Sequence, residues 1–445
     1  MFARMLLLIV ALCAALPAAA LPPIQTWQTA AGSHVYFVET HDLPMLDVSV
    51  DFPAGSTFDT RAKSGVAGLT QQMLHLGAGG LSEDDIARKI ADVGAELDGH
   101  FDLDRGGVSL RTLTSGEELA QALDVFSRVL QSPEFPAAVL EREKARLVAE
   151  IKEADTKPGS IAERNFNQLV YGDHPYALRA SGEADTVPAV TRDDLIAFYR
   201  AHYAADRAVI ALIGDLDRKQ AEQIADRLTA QLPRSSDAPT QAPPVPPLAH
   251  AETRVIPHPA TQAHVLIGAP GMKRGDPDYF SLYVGNYVLG GGGFVSRILT
   301  EVREKRGLAY SAYSYFMPMQ QDGPFMIGLE TRKDQTAEAL AVARATLEKF
   351  VATGPTAQEL KEAKQNIVDG FPLRFDSNRK ILEYLDVIGF YHLPLTYIED
   401  FPGNVGKVTL ADIDDAFKRR VHPDRMVTVV VGPEPAALGA GGSAR

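Results

Sequence analysis

The sequence predicts an α+β fold built as two homologous halves. Three observations carry that reading. First, the stretch Leu232 to Leu248 (LPRSSDAPTQAPPVPPL) is too rich in proline for a helix or a central strand, and it divides the chain into halves of similar length. Second, segments of the two halves match at a near-constant offset. Thr191-Arg-Asp-Asp-Leu leads to Asp206-Arg207 and an apolar run ending at Gly214; Thr409-Leu-Ala-Asp-Ile leads to Asp424-Arg425 and an apolar run ending at Gly432, 218 residues on (409 − 191). Leu140-Glu-Arg-Glu-Lys-Ala-Arg-Leu-Val and Leu360-Lys-Glu-Ala-Lys-Gln-Asn-Ile-Val match at 220 (360 − 140), so an internal duplication relates the halves. Third, strands are followed by blocks of helix rather than alternating strictly with them, which favours antiparallel-rich sheets packed with helices.

The elements follow in order. Arg4, the apolar run Met5 to Leu16 and the small residues Ala18-Ala19-Ala20 form a secretory signal segment over 1–20, removed from the mature protein. The run is short for a membrane span, and no later stretch qualifies. The first domain, 21–231, opens with strands at Val35 to Val38 and Leu46 to Phe52. A helix covers Gly65 to Leu76. Ser82 with Asp85, and Ser115 with Glu118, have the spacing of capping boxes. Gly107 to Thr114 alternates as a strand, Pro136 opens a long helix, Thr191 opens another, and Ala208 to Ile213 reads as a buried strand. A linker spans 232–250. The second domain, 251–434, repeats the scheme, and a flexible tail occupies 435–445.

The composition narrows the function classes. The 445 residues are 45% hydrophobic and 23% charged, as in ordinary globular proteins, and the net charge of −13 disfavours nucleic-acid binding. The single cysteine, Cys13, lies in the signal segment, and Leu12 stands where a lipoprotein signal would want a small residue. The mature chain therefore has no disulfide and no thiolate chemistry. This pattern suits a periplasmic or secreted protein.

Three segments could carry chemistry. The Gly65 to His75 helix is small and apolar on one face, with Gly68, Gln71 and Gln72 at spacings of three and one. Glu143 and Glu150 are seven apart and share a helix face, an arrangement that is ordinarily a solvated surface. Gly290-Gly291-Gly292-Gly293-Phe294 precedes a helix carrying Arg303 and a strand entry Leu308-Ala309-Tyr310. The glycine run fits neither G-x-x-x-x-G-K-[ST] nor G-x-G-x-x-G, because Val295 stands where a third glycine would be needed, and the chain contains no G-x-S-x-G. It reads as a flexible turn past which a substrate backbone can run. His75 reads as a helix-end or packing residue.

Together these segments resemble the insulinase-like (M16) metallopeptidases, and the resemblance covers nearly the whole mature chain. In that family a helix of this kind carries His-x-x-Glu-His, with two imidazoles for Zn²⁺ and a carboxylate to take a proton from the bound water. Gly68, Gln71 and Gln72 occupy the first-His, Glu and second-His positions here. Glu150 occupies the third-ligand position, with Glu143 one face-turn earlier. All three positions on the helix have lost their chemistry, so the resemblance implies no metal in this chain and makes Glu150 a relic. Arg303 and Tyr310 match the Arg/Tyr pair that reaches into the family's catalytic chamber, where a guanidinium can grip substrate carbonyls and a phenol O–H can donate to an oxyanion.

The resemblance further implies half of a clamshell: an M16B-type non-catalytic subunit that pairs with a homologue bearing His-x-x-Glu-His and the zinc, and acts on peptides or unfolded segments. An edge strand from Ala95 to Phe101, with Gly292 and Gly293, is expected to contact the substrate backbone. The rival is an inert peptide-binding or scaffold protein of the same fold.

Overall fold

A computed structural model describes residues 22–234, 238, 240–432 and 434. The expected signal segment (1–20) and the tail (435–445) lie outside them. The first half forms a six-stranded sheet from β1 (Gln25–Gln28), β2 (His34–Glu39), β3 (Met45–Phe52), β4 (Glu96–Phe101), β5 (Gly106–Leu113) and β6 (Val209–Gly214), in the order β1-β2-β6-β3-β5-β4. The second half forms a five-stranded sheet from β7 (Thr253–Pro257), β8 (Gln262–Met272), β9 (Ala309–Phe316), β10 (Gly323–Arg332) and β11 (Val427–Gly432), in the order β7-β11-β8-β10-β9. Without β1 the two orders superpose strand for strand. In each sheet one pair is parallel, β2 with β6 and β7 with β11, and the others are antiparallel. The halves are two copies of one α+β unit.

The duplication extends to the helix starts. Thr191 caps the Arg192–His202 helix by accepting from the Asp194 N–H, and Thr409 caps Leu410–Arg420 by accepting from the Asp412 N–H; both are reciprocal capping boxes. Each cap residue lies in the same place before the buried strand β6 or β11. Ser82 and Asp85 also form such a box. Ser115 bonds only the Glu118 carboxylate, at 2.6 Å, and accepts no backbone N–H.

The central strands β6 (VIALIG) and β11 (VTVVVG) are buried along their whole length, as a continuous apolar run demands. Their two faces meet different partners. Ile210 and Leu212 face the helices of their own half, while Ala211 and Ile213 pack on Ile381, Leu382 and Leu385 of the Asn378–Phe390 helix, which belongs to the second half. Conversely, Val427, Val429 and Val431 pack on Ala162, Phe166 and Val170 of the Pro158–Tyr171 helix, which belongs to the first. The two helices start 220 residues apart (378 − 158), the offset of the repeat. Equivalent helices are thus exchanged, each covering the other half's sheet. Gly389 permits the close approach: a Cβ there would sit 2.5 Å from Val209 Cγ1.

The proline-rich linker is anchored to both halves. It lacks helix and strand among its described residues, but it is fastened along the seam. The Gln320 and Gln321 side-chain amides donate to the Thr240 and Ala242 carbonyls at 3.0 and 3.1 Å, and His174 Nε2 lies 2.7 Å from the Pro243 carbonyl.

Candidate functional site

The helix expected to hold the degenerate metal site runs from Val66 to Met73. Its apolar residues Val66, Ala67, Leu69 and Met73 enter the first-half core. Gly65 precedes it at φ 102°, a conformation that favours glycine, and Asp59 supplies the cap: its carboxylate accepts from the N–H groups of Gly65 and Ala67 at 2.7 and 2.9 Å. Burial pushes the Asp59 carboxyl up to about 7 against the pull of those two donors.

On this helix the three motif positions are closed. At Gly68 a Cβ would lie 3.2 Å from Phe101 Cε1 and 3.3 Å from the Ala180 carbonyl oxygen, so the Phe101 ring occupies the space a ligand side chain would need. Gln71 is buried and donates from Nε2 to the Gly107 carbonyl at 3.1 Å, passing over Gly99, where any Cβ would meet the same nitrogen at 2.0 Å. At the general-base position there is thus an amide that ties the helix to β4 and β5. Gln72 donates from Nε2 to the Glu143 carboxylate at 2.7 Å.

Glu143 is buried and also meets Arg142 Nε at 2.8 Å and Arg146 Nη1 at 3.5 Å. Arg142 reaches on to Glu83 at 2.7 Å, and Arg146 to the exposed Glu150 at 3.2 Å. Two guanidiniums and an amide therefore satisfy the carboxylates that would otherwise face a cation. His75 is half-buried beside them, and desolvation holds its imidazole below the usual range, outweighing Glu83, Glu143 and Asp98. The residues present do not fit Zn²⁺: Gly68 offers no donor, Gln71 and Gln72 are neutral amides already hydrogen-bonded, and no group of three or more His, Cys, Asp or Glu side chains converges among the described residues.

The second half presents the opposite situation. The Arg297–Leu299 turn continues as a π-helical turn over Thr300–Glu304, so Arg303 sits one short connection before β9, which Ala309 and Tyr310 begin. Arg303 and Tyr310 lie together, with the guanidinium carbon 5.1 Å from the Tyr310 ring centroid. Tyr310 is 80% exposed, so it takes no part in the core. The glycine run before them is not an open turn. Tyr287–Gly291 is π-helical, and a Cβ at Gly290, Gly291 or Gly292 would strike Ser314, Asn286 or Tyr287 respectively at under 3 Å. The glycines are there because the chain packs on itself. Of the four, Gly293, at φ 62°, is the one with nothing within 4 Å of its Cβ position, and it is exposed, as is Gly291.

Strand β4 is a sheet edge, as expected, but it begins at Glu96. Ala95 lies in the preceding turn, where its N–H is bound to the Ile90 carbonyl at 3.1 Å and is not free for an added strand. Phe101 contributes its backbone to the edge and its ring to Gly68.

One cluster escaped the sequence reading. Asp51 is buried, accepts from Arg105 Nη1 at 2.7 Å and pairs with His100, while Ser49 donates to Asp386 of the exchanged Asn378–Phe390 helix. Burial opposes the Asp51 charge, but His100 and Arg105 outweigh it and hold the carboxyl below its usual range. Burial and the Asp51 charge push Asp386 up. The alternation in β3 (MLDVSVDF) puts Asp47, Ser49 and Asp51 on one face, a pattern that reads as solvent-facing until the other half's helix covers it.

A duplicated α+β unit with a closed metal-motif helix in one copy and, in the other, a half-buried Arg303 against an exposed Tyr310 is the arrangement expected of the zinc-peptidase family the sequence resembles. Comparison with known proteins identifies that family. The family described as insulinase (peptidase family M16) matches residues 35–183, and the peptidase M16 inactive domain matches residues 189–367. The chain belongs to the M16 family. It is 38% identical to the peptidase M16 inactive domain from Pseudomonas fluorescens, covering 92% of this chain and 98% of that one with a TM-score of 0.88. It is 28% identical to an uncharacterized zinc protease of Streptomyces coelicolor over 85% of this chain and 83% of that protein. With the non-peptidase homolog YmxG of Helicobacter pylori it shares 25% identity over 89% of this chain and 91% of the relative.

Proposed function

We propose that the chain is the non-catalytic subunit of a heterodimeric M16-type zinc metallopeptidase of the periplasm. In this reading it forms one half of a clamshell with a homologue that carries His-x-x-Glu-His and the zinc. Arg303 grips substrate carbonyls at the partner's site and Tyr310 donates its O–H to the developing oxyanion. The substrates are peptides or unfolded segments small enough for an enclosed chamber. The edge strand β4 and the exposed Gly293 offer backbone to pair with them. The segment at 1–20 directs export, and no helix among the described residues is long and apolar enough to cross a membrane.

The observation that carries this reading is the contrast between the halves. The metal-motif positions are filled by hydrogen-bonded amides and a phenyl ring, while Arg303 and Tyr310 are assembled in contact at the surface, where Tyr310 has no packing duty to explain it. The test mixes this chain with a zinc-bearing M16 homologue from the same host and follows cleavage of a quenched peptide. Tyr310→Phe should lower kcat about 10²-fold, the scale of one lost oxyanion donor, and Arg303→Ala should raise KM. Cleavage at the unaltered rate by both variant complexes would leave an inert scaffold as the better account.

A further inference from the structure

We infer that Phe294 is a positioning residue for Arg303: with Tyr310 it forms an aromatic clamp that holds the guanidinium where substrate passes. The inference rests on the role proposed for Arg303 and adds a residue to it. The Arg303 guanidinium carbon lies 5.2 Å from the Phe294 ring centroid and 5.1 Å from that of Tyr310, so both rings lie within cation–π range of one cation. Its carboxylate contact is with the neighbouring Glu304, at 3.7 Å. That distance is long for a charge-assisted hydrogen bond, so the rings fix the side chain more than the ion pair does.

Phe294 has no other evident task. It is 72% exposed and belongs to none of the hydrophobic clusters. A phenyl group in water is unfavourable, and the contact this exposed ring makes is with the Arg303 guanidinium. The local backbone is shaped to present it. Gly293 adopts φ 62°, and the short 3₁₀ turn Gly293–Val295 then projects Phe294 toward Arg303, while the packed glycines 290–292 anchor the approach. A long arginine side chain loses rotamer entropy whenever it binds. A guanidinium already held between two rings has less to lose, which strengthens its grip on the substrate in the ground state and the transition state alike. Loss of the clamp therefore appears in KM, whereas loss of the Tyr310 hydroxyl appears in kcat.

The experiment compares Phe294→Leu, which keeps bulk without a π face, and Phe294→Tyr, which keeps the ring, in two measurements. In the isolated chain, NMR reads the ring-current shifts of the Arg303 side-chain signals; in F294L these should fall by more than the Phe294 ring's own share, because the guanidinium also leaves Tyr310, and they should persist in F294Y. In the complex with the zinc-bearing homologue, F294L should raise KM about three- to ten-fold, the scale of an exposed cation–π contact and its lost ordering, with kcat nearly constant, and F294Y should stay within about twofold. A fall in F294L of no more than that share overturns the inference whatever the activity does. A larger fall with an unchanged KM upholds the positioning and counts against the role proposed for Arg303.

Discussion

At the scale of single residues, the change from zinc site to structural joint is a change of hydrogen-bonding roles. Gln71 differs from the family's glutamate by one amide group, and that group donates to the Gly107 carbonyl. An ionised glutamate there could not donate, and it would bring a buried carboxylate against a carbonyl oxygen. Gln71→Glu is therefore expected to destabilise the fold by about 1–3 kcal/mol, read as a lower denaturation midpoint at pH 7; a midpoint equal to the parent's would contradict the assignment. The identities at 68, 71 and 72 were plain in the sequence, and with them the lack of imidazole and carboxylate at these helix positions. The sequence did not tell what replaced that chemistry. Phe101 over Gly68 and Arg142 and Arg146 around Glu143 come from a strand and a helix distant along the chain, and no local pattern links them.

At the scale of elements, the strongest sequence signals were those written within a few residues. The capping boxes at Thr191 and Thr409, and the apolar runs of β6 and β11, recur because each copy must start the same helix and bury the same strand. The glycine run was legible as glycine but not as packing, since the π-helical turn over Tyr287–Gly291 has no periodic signature. The Val66–Met73 helix shows a further electrostatic dependence. Its cap Asp59 titrates near 7 in the folded chain, above the value near 4 of an unfolded aspartate. The folded state thus holds the proton more tightly. Its contribution to stability is complete below pH 4 and is lost as pH rises through about 7. Asp59→Asn should remove that component, so the fall in unfolding free energy between pH 4 and 8 should be shallower by roughly 2–4 kcal/mol. Parallel stability curves for parent and variant would show that Asp59 does not carry it.

At the scale of the whole molecule, the exchanged helices bind the halves into one body. The Asn378–Phe390 helix covers the polar face of β3 and the apolar face of β6, and the Pro158–Tyr171 helix returns the arrangement. The Asp104 carboxylate reinforces the seam by accepting from Tyr176 and Tyr391 at 2.6 and 2.9 Å, one tyrosine from each half. The duplication was legible because it is written at a constant offset. The exchange was not, because two copies joined side by side and two copies trading a helix have the same sequence pattern. A chain so fastened along its own seam has little freedom to open between its halves; in the heterodimer proposed above, a chamber would open at the boundary with the other subunit. The central claim is that the metal chemistry belongs to that other subunit. The most direct measurement incubates the purified chain alone with equimolar zinc, removes free metal, and determines bound zinc and cleavage of a quenched peptide on the same sample. The account predicts zinc far below one equivalent and no cleavage; one equivalent of zinc together with chelator-sensitive cleavage would contradict it.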